Sequence, residues 1–219
     1  MSLHSSSSGF EAFPLPDIVP VFPLPAVVFF PHTYLPLHIF EPRYREMIQE
    51  VSTQGQCIGM ALLKDGWEDQ YDDAPPFHPI GCVGRMISFH KLPDGRYNIV
   101  LQGLHRCTYQ EQTVATSYRQ ARLTPHVPQG STSLTSDIRC HLEETAQEYL
   151  LAKKANQLCD ILNSDTLTDS ILVHNLSAGL DLSPIEKQFL LESENLPQQA
   201  RRLIDFIRFK LADLRTTQG

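Results

Sequence analysis

Gly81-Cys-Val-Gly-Arg-Met-Ile-Ser-Phe-His-Lys-Leu-Pro-Asp-Gly-Arg-Tyr-Asn-Ile-Val-Leu-Gln-Gly-Leu-His-Arg-Cys107 decides the fold. It reads as two long strands folded about Pro93-Asp94-Gly95. Asp-Gly between strand-like runs signals a hairpin because glycine accepts positive φ with no Cβ penalty. After the turn, Tyr97, Ile99 and Leu101 alternate with Arg96, Asn98 and Gln102, the two-residue period of a strand with one buried face. Val100 keeps the opposite face from being wholly wet. Gly84 and Gly103 interrupt the strand patterns, where glycine marks a bulge, a bend or a close backbone approach. Such positions let a small sheet curl into a barrel.

Working outward towards the amino terminus, residues 1–16 form a Ser-rich, then Pro-containing segment, expected to be flexible. Ile18 to Leu24 is apolar but studded with proline, which withholds a ladder donor and so predicts an edge strand or one that leaves the sheet quickly. Leu35, Leu37 and Ile39 alternate with Pro36 and His38 as a second short strand. Pro42 opens a helix whose inward stripe is Tyr44, Met47, Ile48 and Val51. Cys57 to Leu63 predicts a strand buried on both faces. Lys64 to Pro79 is a long irregular connection holding Asp65, Trp67, Glu68, Asp69, Tyr71, Asp72, Asp73 and Phe77.

Towards the carboxyl terminus, Tyr118 to Val127 predicts one more strand, and Pro128 to Ser133 a linker. Helix follows. Ile138, Leu142, Thr145, Ala146, Tyr149, Leu158 and Ile161 fit the stripe of a long helix, and Asp165 is placed to cap a second. Ser183-Pro184-Ile185-Glu186 is a capping-box signature opening a short helix with Ile185 and Phe189 facing inward. Leu196, Ala200, Leu203, Ile207, Leu211 and Leu214 make the stripe of the last helix. Strands first and helices second predict an α+β fold: a β-barrel subdomain over 17–128 and a helical subdomain over 129–219.

The composition excludes several classes. The chain has 219 residues, 42% of them hydrophobic, enough for a real core. No run has the length of a membrane span, and the amino terminus lacks a signal-peptide plan, so a cytoplasmic protein with no membrane partner is expected. A net charge of −7 argues against nucleic acid. Within 17–128, nine basic residues face eleven acidic ones. The one basic cluster (Arg201, Arg202, Arg208, Lys210 and Arg215) reads as a solvated helix face. The five cysteines are scattered and show no CxxC spacing, which predicts reduced, mostly buried thiols.

Asp17 to Leu214 resembles the amino-terminal domain of Lon-type ATP-dependent proteases. The likeness rests on Val19-Pro-Val-Phe-Pro-Leu-Pro25, Phe30-Pro31-His32, Leu35-Pro-Leu-His-Ile-Phe-Glu-Pro-Arg-Tyr44, Gly81-Cys-Val-Gly-Arg85 and, above all, Leu92-Pro-Asp-Gly-Arg-Tyr-Asn-Ile-Val-Leu-Gln-Gly-Leu-His-Arg106. The resemblance implies a small PUA-like pseudobarrel with one inserted helix, followed by a helical bundle. It also implies a part in recognising polypeptide substrates. The 219 residues hold no GxxxxGK[ST] loop for ATP and no Ser-Lys protease domain. A free-standing, non-catalytic binding or adaptor module is therefore expected, taking unfolded or client polypeptide, with a protease or chaperone as a further partner.

A nucleophile needs an oriented base, and Cys57, Cys82 or Cys107 with His78, His90 or His105 carries no such signature. His32, His38, His78 and Cys82 match no zinc spacing. No catalytic residue, metal or cofactor is expected. Two surfaces are candidates for polypeptide: Trp67 and Tyr71, as apolar anchors in an acidic rim, and the Phe22–Phe30 lip, if Phe22, Val28 and Phe29 stay uncovered. Phe77 is expected to tuck into the barrel. The alternative is a regulator or enzyme subunit binding a small ligand in the crevice between barrel and helices; converging polar groups there would favour it.

Overall fold

The computed structural model describes residues 14–54, 57–68, 74–153 and 167–217. The central hairpin is present. β4 (Ile80–Lys91) and β5 (Tyr97–Gln112) pair antiparallel about Pro93-Asp94-Gly95. Gly95 takes φ +82°, and the Asp94 carboxylate accepts the Arg96 backbone N–H at 3.0 Å. The register slips twice, leaving Leu104 opposite the Val83/Gly84 step and Ile87 opposite the Val100/Leu101 step. Each extra residue bends its strand and raises the local twist.

Those bends let the sheet close. β1 (Ile18–Leu24), β2 (Tyr34–Ile39), β3 (Cys57–Leu62) and β6 (Arg119–Pro125) join β4 and β5 in the order β2-β5-β4-β3-β1-β6, and β5 also pairs with β6. The sixteen-residue β5 is long enough to serve three neighbours: β4, β2 near its start and β6 near its end. β1 runs parallel to β3, and the chain between them carries β2 and α1 (Pro42–Gln54). Tyr44, Met47, Ile48 and Val51 are buried, as the helical spacing predicts, against Phe22, Ile58 and Leu101. β3 is buried along its whole length; Ile58 and Met60 join the α1 cluster, while Cys57 and Ala61 join a second one with Val19, Val83 and Tyr109.

The helical layer consists of α2 (Ser136–Ala152), α3 (Asp169–Gly179), α4 (Pro184–Leu191) and α5 (Leu196–Thr217). The molecule is thus a six-stranded mixed sheet with five helices among the described residues, an α+β fold. Ser183 and Glu186 form the expected capping box. Leu196, Ala200, Leu203, Ile207 and Leu211 are buried in one cluster with Leu142, Ala146 and Tyr149.

Four expectations need correction. β1 is not an edge strand: it pairs with β3 on one side and β6 on the other despite its prolines. α3 is capped by Thr168, whose hydroxyl accepts the Ile171 N–H; Asp165, like Leu158 and Ile161, lies outside the described residues. α4 turns Gln188, Leu190 and Leu191 inward and leaves Ile185 (55%) and Phe189 (46%) exposed. The lead-in is not wholly detached: residues 1–13 are outside the described part, but Leu15 packs beside the Val19 cluster.

Candidate functional site

The two expected polypeptide surfaces fare differently. Trp67 is half-buried, beside exposed Asp65 and Glu68, whereas Tyr71, Asp69, Asp72 and Asp73 lie outside the described residues. Phe77 bridges Leu63 and packs on the second barrel cluster, with the Arg119 guanidinium 4.4 Å above its ring. The large rings of the Phe22–Phe30 lip, Phe22, Phe29 and Phe30, are buried. Phe22 (6%) lies 4.1 Å from the Tyr44 ring, Phe29 (3%) joins the same cluster, and Val28 packs against the helical core. Phe29 enters the barrel core and its neighbour Phe30 the helical core. The lip is a rivet between two cores.

Two glycines make room for that rivet. A Cβ on Gly103 would sit 2.1 Å from the Phe30 carbonyl oxygen, and one on Gly84 would sit 2.6 Å from the Phe29 ring. The strand glycines of the hairpin therefore serve close approach as well as bending. His32 follows with φ 60°, its N–H donating to the Gly103 carbonyl at 2.9 Å, while Gly103 N–H donates to Thr33.

This joint walls a cleft of about 200 Å³. Pro31 and His32 form one side. Leu104, His105 and Arg106, where β5 leaves its bulge, form another, and His126 follows β6. Ser170 and His174 come from α3, and Asn195 and Gln199 from the start of α5. Arg106 is held by its Nη1, which donates to Leu191 O at 2.8 Å and to Ser193 O. Strand and helical layer are tied there.

Burial sets the electrostatics. His174 stacks on His32 with ring centroids 5.6 Å apart, and its Nδ1 lies 3.4 Å from Ser170 Oγ. Loss of solvent, then the neighbouring His32 and Arg106, push its pKa down to about 3, against a small opposing effect of Gln199. His32 is lowered by burial and then by His105; His126 by burial and then by Arg106. A buried imidazole among cations stays neutral because its charged form has nothing to compensate lost hydration. Arg106 is also lowered by burial, but a guanidinium remains protonated at any physiological pH.

Burial pushes the Cys57 thiol up to about 11, Cys107 to about 12 and Cys82 higher than usual, so all three are protonated at neutral pH. His38 pairs with Asn98 at 2.7 Å and His78 with Glu192 at 3.3 Å. No three His, Cys, Asp or Glu among the described residues converge as metal ligands. The basic helix face is engaged locally: Lys210 meets Glu186 at 3.5 Å, and Arg202 lies 3.8 Å over the Phe189 ring. No described helix is long and apolar enough to cross a membrane.

A small closed mixed sheet capped by one helix, with a helical layer riveted to its side, defines the class of protein. The family model described as the ATP-dependent protease La (LON) substrate-binding domain matches residues 18–208, and the chain belongs to that family. Among curated relatives, it is 24% identical over 200 residues to the Lon protease of Roseiflexus castenholzii, which covers 88% of this chain and 24% of that protein. It is 27% identical over 195 residues to that of Buchnera aphidicola, at 85% and 24% coverage. The chain thus spans about a quarter of the length of those relatives. Among solved structures, the N-terminal domain of Mycobacterium avium complex Lon protease superposes with a TM-score of 0.66 at 19% identity, covering 87% of this chain and 98% of that one. The Lon N-terminal domain protein from Xanthomonas campestris gives 0.63 at 21%, covering 87% and 97%.

Proposed function

We propose that this chain binds polypeptide and does no chemistry of its own. The observation that carries the reading is the match of residues 18–208 to a substrate-binding domain. The protonated thiols agree with it, since none sits as an activated nucleophile. In this reading the barrel subdomain (17–128) and the helical subdomain (129–219) act as one cytoplasmic unit that receives an unfolded client, alone or for a protease or chaperone. Half-buried Trp67, flanked by Asp65 and Glu68, offers an apolar anchor in an acidic rim suited to basic, unfolded segments.

Trp67 is also the chain's one tryptophan, so its emission reports on that surface directly. Titration with a reduced, unfolded client should shift the emission. Trp67→Ala with Tyr71→Ala should weaken binding by about tenfold or more, as for an interface anchor, and leave thermal melting unchanged. Phe77→Ala should lower melting instead. Early melting with normal binding in the double variant would remove this surface from the reading, and turnover of ATP or casein that a point change in this chain abolishes would end the non-catalytic part.

A second reading, a regulator or enzyme subunit with a small ligand in the crevice, is favoured by one observation: polar side chains from barrel and helices line the same cleft.

A further inference from the structure

We propose that the cleft between barrel and helices is a carboxylate site, anchored by Arg106, for a mono-anion carried on an apolar body. The inference deepens the second reading and stands apart from the surface at Trp67.

The protein carries a net charge of −7, yet the described residues that line the cleft include Arg106 and His32, His105, His126 and His174, and no Asp or Glu. Acidic chains normally neutralise a half-buried guanidinium with a carboxylate. Among the described residues Arg106 forms no ion pair. Its Nη1 is fixed on two backbone carbonyls, which hold the guanidinium plane still while the described residues give Nε and Nη2 no acceptor. A planar fork pre-set in this way matches the two oxygens of a carboxylate.

A second polar group is also unsatisfied. His126 Nε2 is buried with no partner among the described residues, so its partner must be a water or a ligand held in the cleft. The imidazoles of His32, His126 and His174, held neutral by burial, and the second N–H of the Asn195 and Gln199 amides, whose first goes to Gln129 O and Ser177 Oγ, add polar groups without adding charge. One permanent positive charge balances one negative charge, which favours a carboxylate over a phosphate dianion. Leu104, Leu191 and Leu196 supply apolar wall, so the carboxylate should be attached to a hydrocarbon group. The volume, about 200 Å³, is below the range of drug-sized pockets and fits a short branched chain.

Two sources share this chemistry: a free small acid and the chain-terminal carboxylate of a polypeptide. Calorimetric titration with isovalerate, with a short peptide ending in leucine, and with the same peptide amidated separates them. Both free acids binding assigns a general apolar carboxylate; the peptide acid alone assigns a polypeptide terminus. Either result supports the site, provided the amide binds at least about tenfold more weakly, the worth of one charge-assisted contact. The His126 ring-proton resonance should shift on binding, placing the ligand in the cleft. Arg106→Gln should cost about tenfold or more in affinity. Because Arg106 also ties Leu191 and Ser193, Thr132→Trp serves as a second variant: Thr132 is exposed at the cleft, and a bulky ring there should block entry while melting as wild type. No binding of either acid, equal binding of the amide, or unchanged affinity in both variants would overturn the proposal. Client binding read by Trp67 emission is a separate measurement, so failure here leaves the polypeptide reading standing, and the reverse.

Discussion

Replacing His174 with glutamine should remove a large share of the acid sensitivity of folding. The folded pKa is about 3, against an ordinary value of 6.5. Above pH 6.5 neither state is protonated and the group contributes nothing to pH dependence. Below it the unfolded chain takes up a proton that the folded chain refuses, so stability falls as pH falls, and continues to fall until the folded group titrates near pH 3. Each pH unit in that window costs about 1.4 kcal/mol, so a drop to pH 5 costs about 2 kcal/mol. Among the described residues, the groups facing the ring, His32, Arg106, Ser170 and Gln199, include no acid that would stabilise its cation. Glutamine retains a hydrogen-bonding amide for Ser170 and Gln199 and cannot titrate. Urea unfolding at pH 7.5 and pH 5.0 measures the effect: the wild type should lose about 2 kcal/mol more than His174→Gln over that interval. His32 is lowered in the same direction and remains in both proteins, as do the surface carboxylates, so their contributions cancel in the difference. Equal losses in the two proteins would refute the assignment of a neutral, desolvated His174.

Phe30→Ala removes a fully buried ring from the helical core and should cost about 3–5 kcal/mol in urea unfolding. Gly103→Ala sets a methyl group 2.1 Å from a backbone oxygen that cannot rotate away, and should cost about 3 kcal/mol or prevent folding. Gly66→Ala, with φ +82° but open space around it, should cost only about 1 kcal/mol; equal costs would deny the close approach at Gly103. Ser183→Ala breaks the capping box and should lower stability by about 1 kcal/mol, with thermal melting as the check.

What was legible in the chain was local. The hairpin turn, the buried alternation of Tyr97, Ile99 and Leu101, the α1 stripe and the Ser183 capping box each depend on residues a few positions apart, whose conformational preferences act before any tertiary contact forms. Failures came where one segment offers two faces. Over the eight residues of α4, Ile185 and Phe189 are spaced as well as Leu190 and Leu191 to face a core, and the choice falls to packing: Gln188 donates to the Ile80 carbonyl at 2.9 Å, while Arg202 covers Phe189 from outside. The Phe22–Phe30 lip failed for a related reason, since apolar residues among prolines look alike whether they rivet two cores or stand in water. The cleft was beyond sequence reasoning. His32, Arg106, His126 and His174 are each at least 20 residues apart in unrelated motifs, and each looks ordinary alone. Closure of β5 onto both β4 and β6, and the docking of α3 and α5 against that closed sheet, brings them to one site. Desolvation is a property of the assembled interface, so the neutral His174 imidazole, and an Arg106 guanidinium with no ion pair among the described residues, exist only once the fold has excluded water from them.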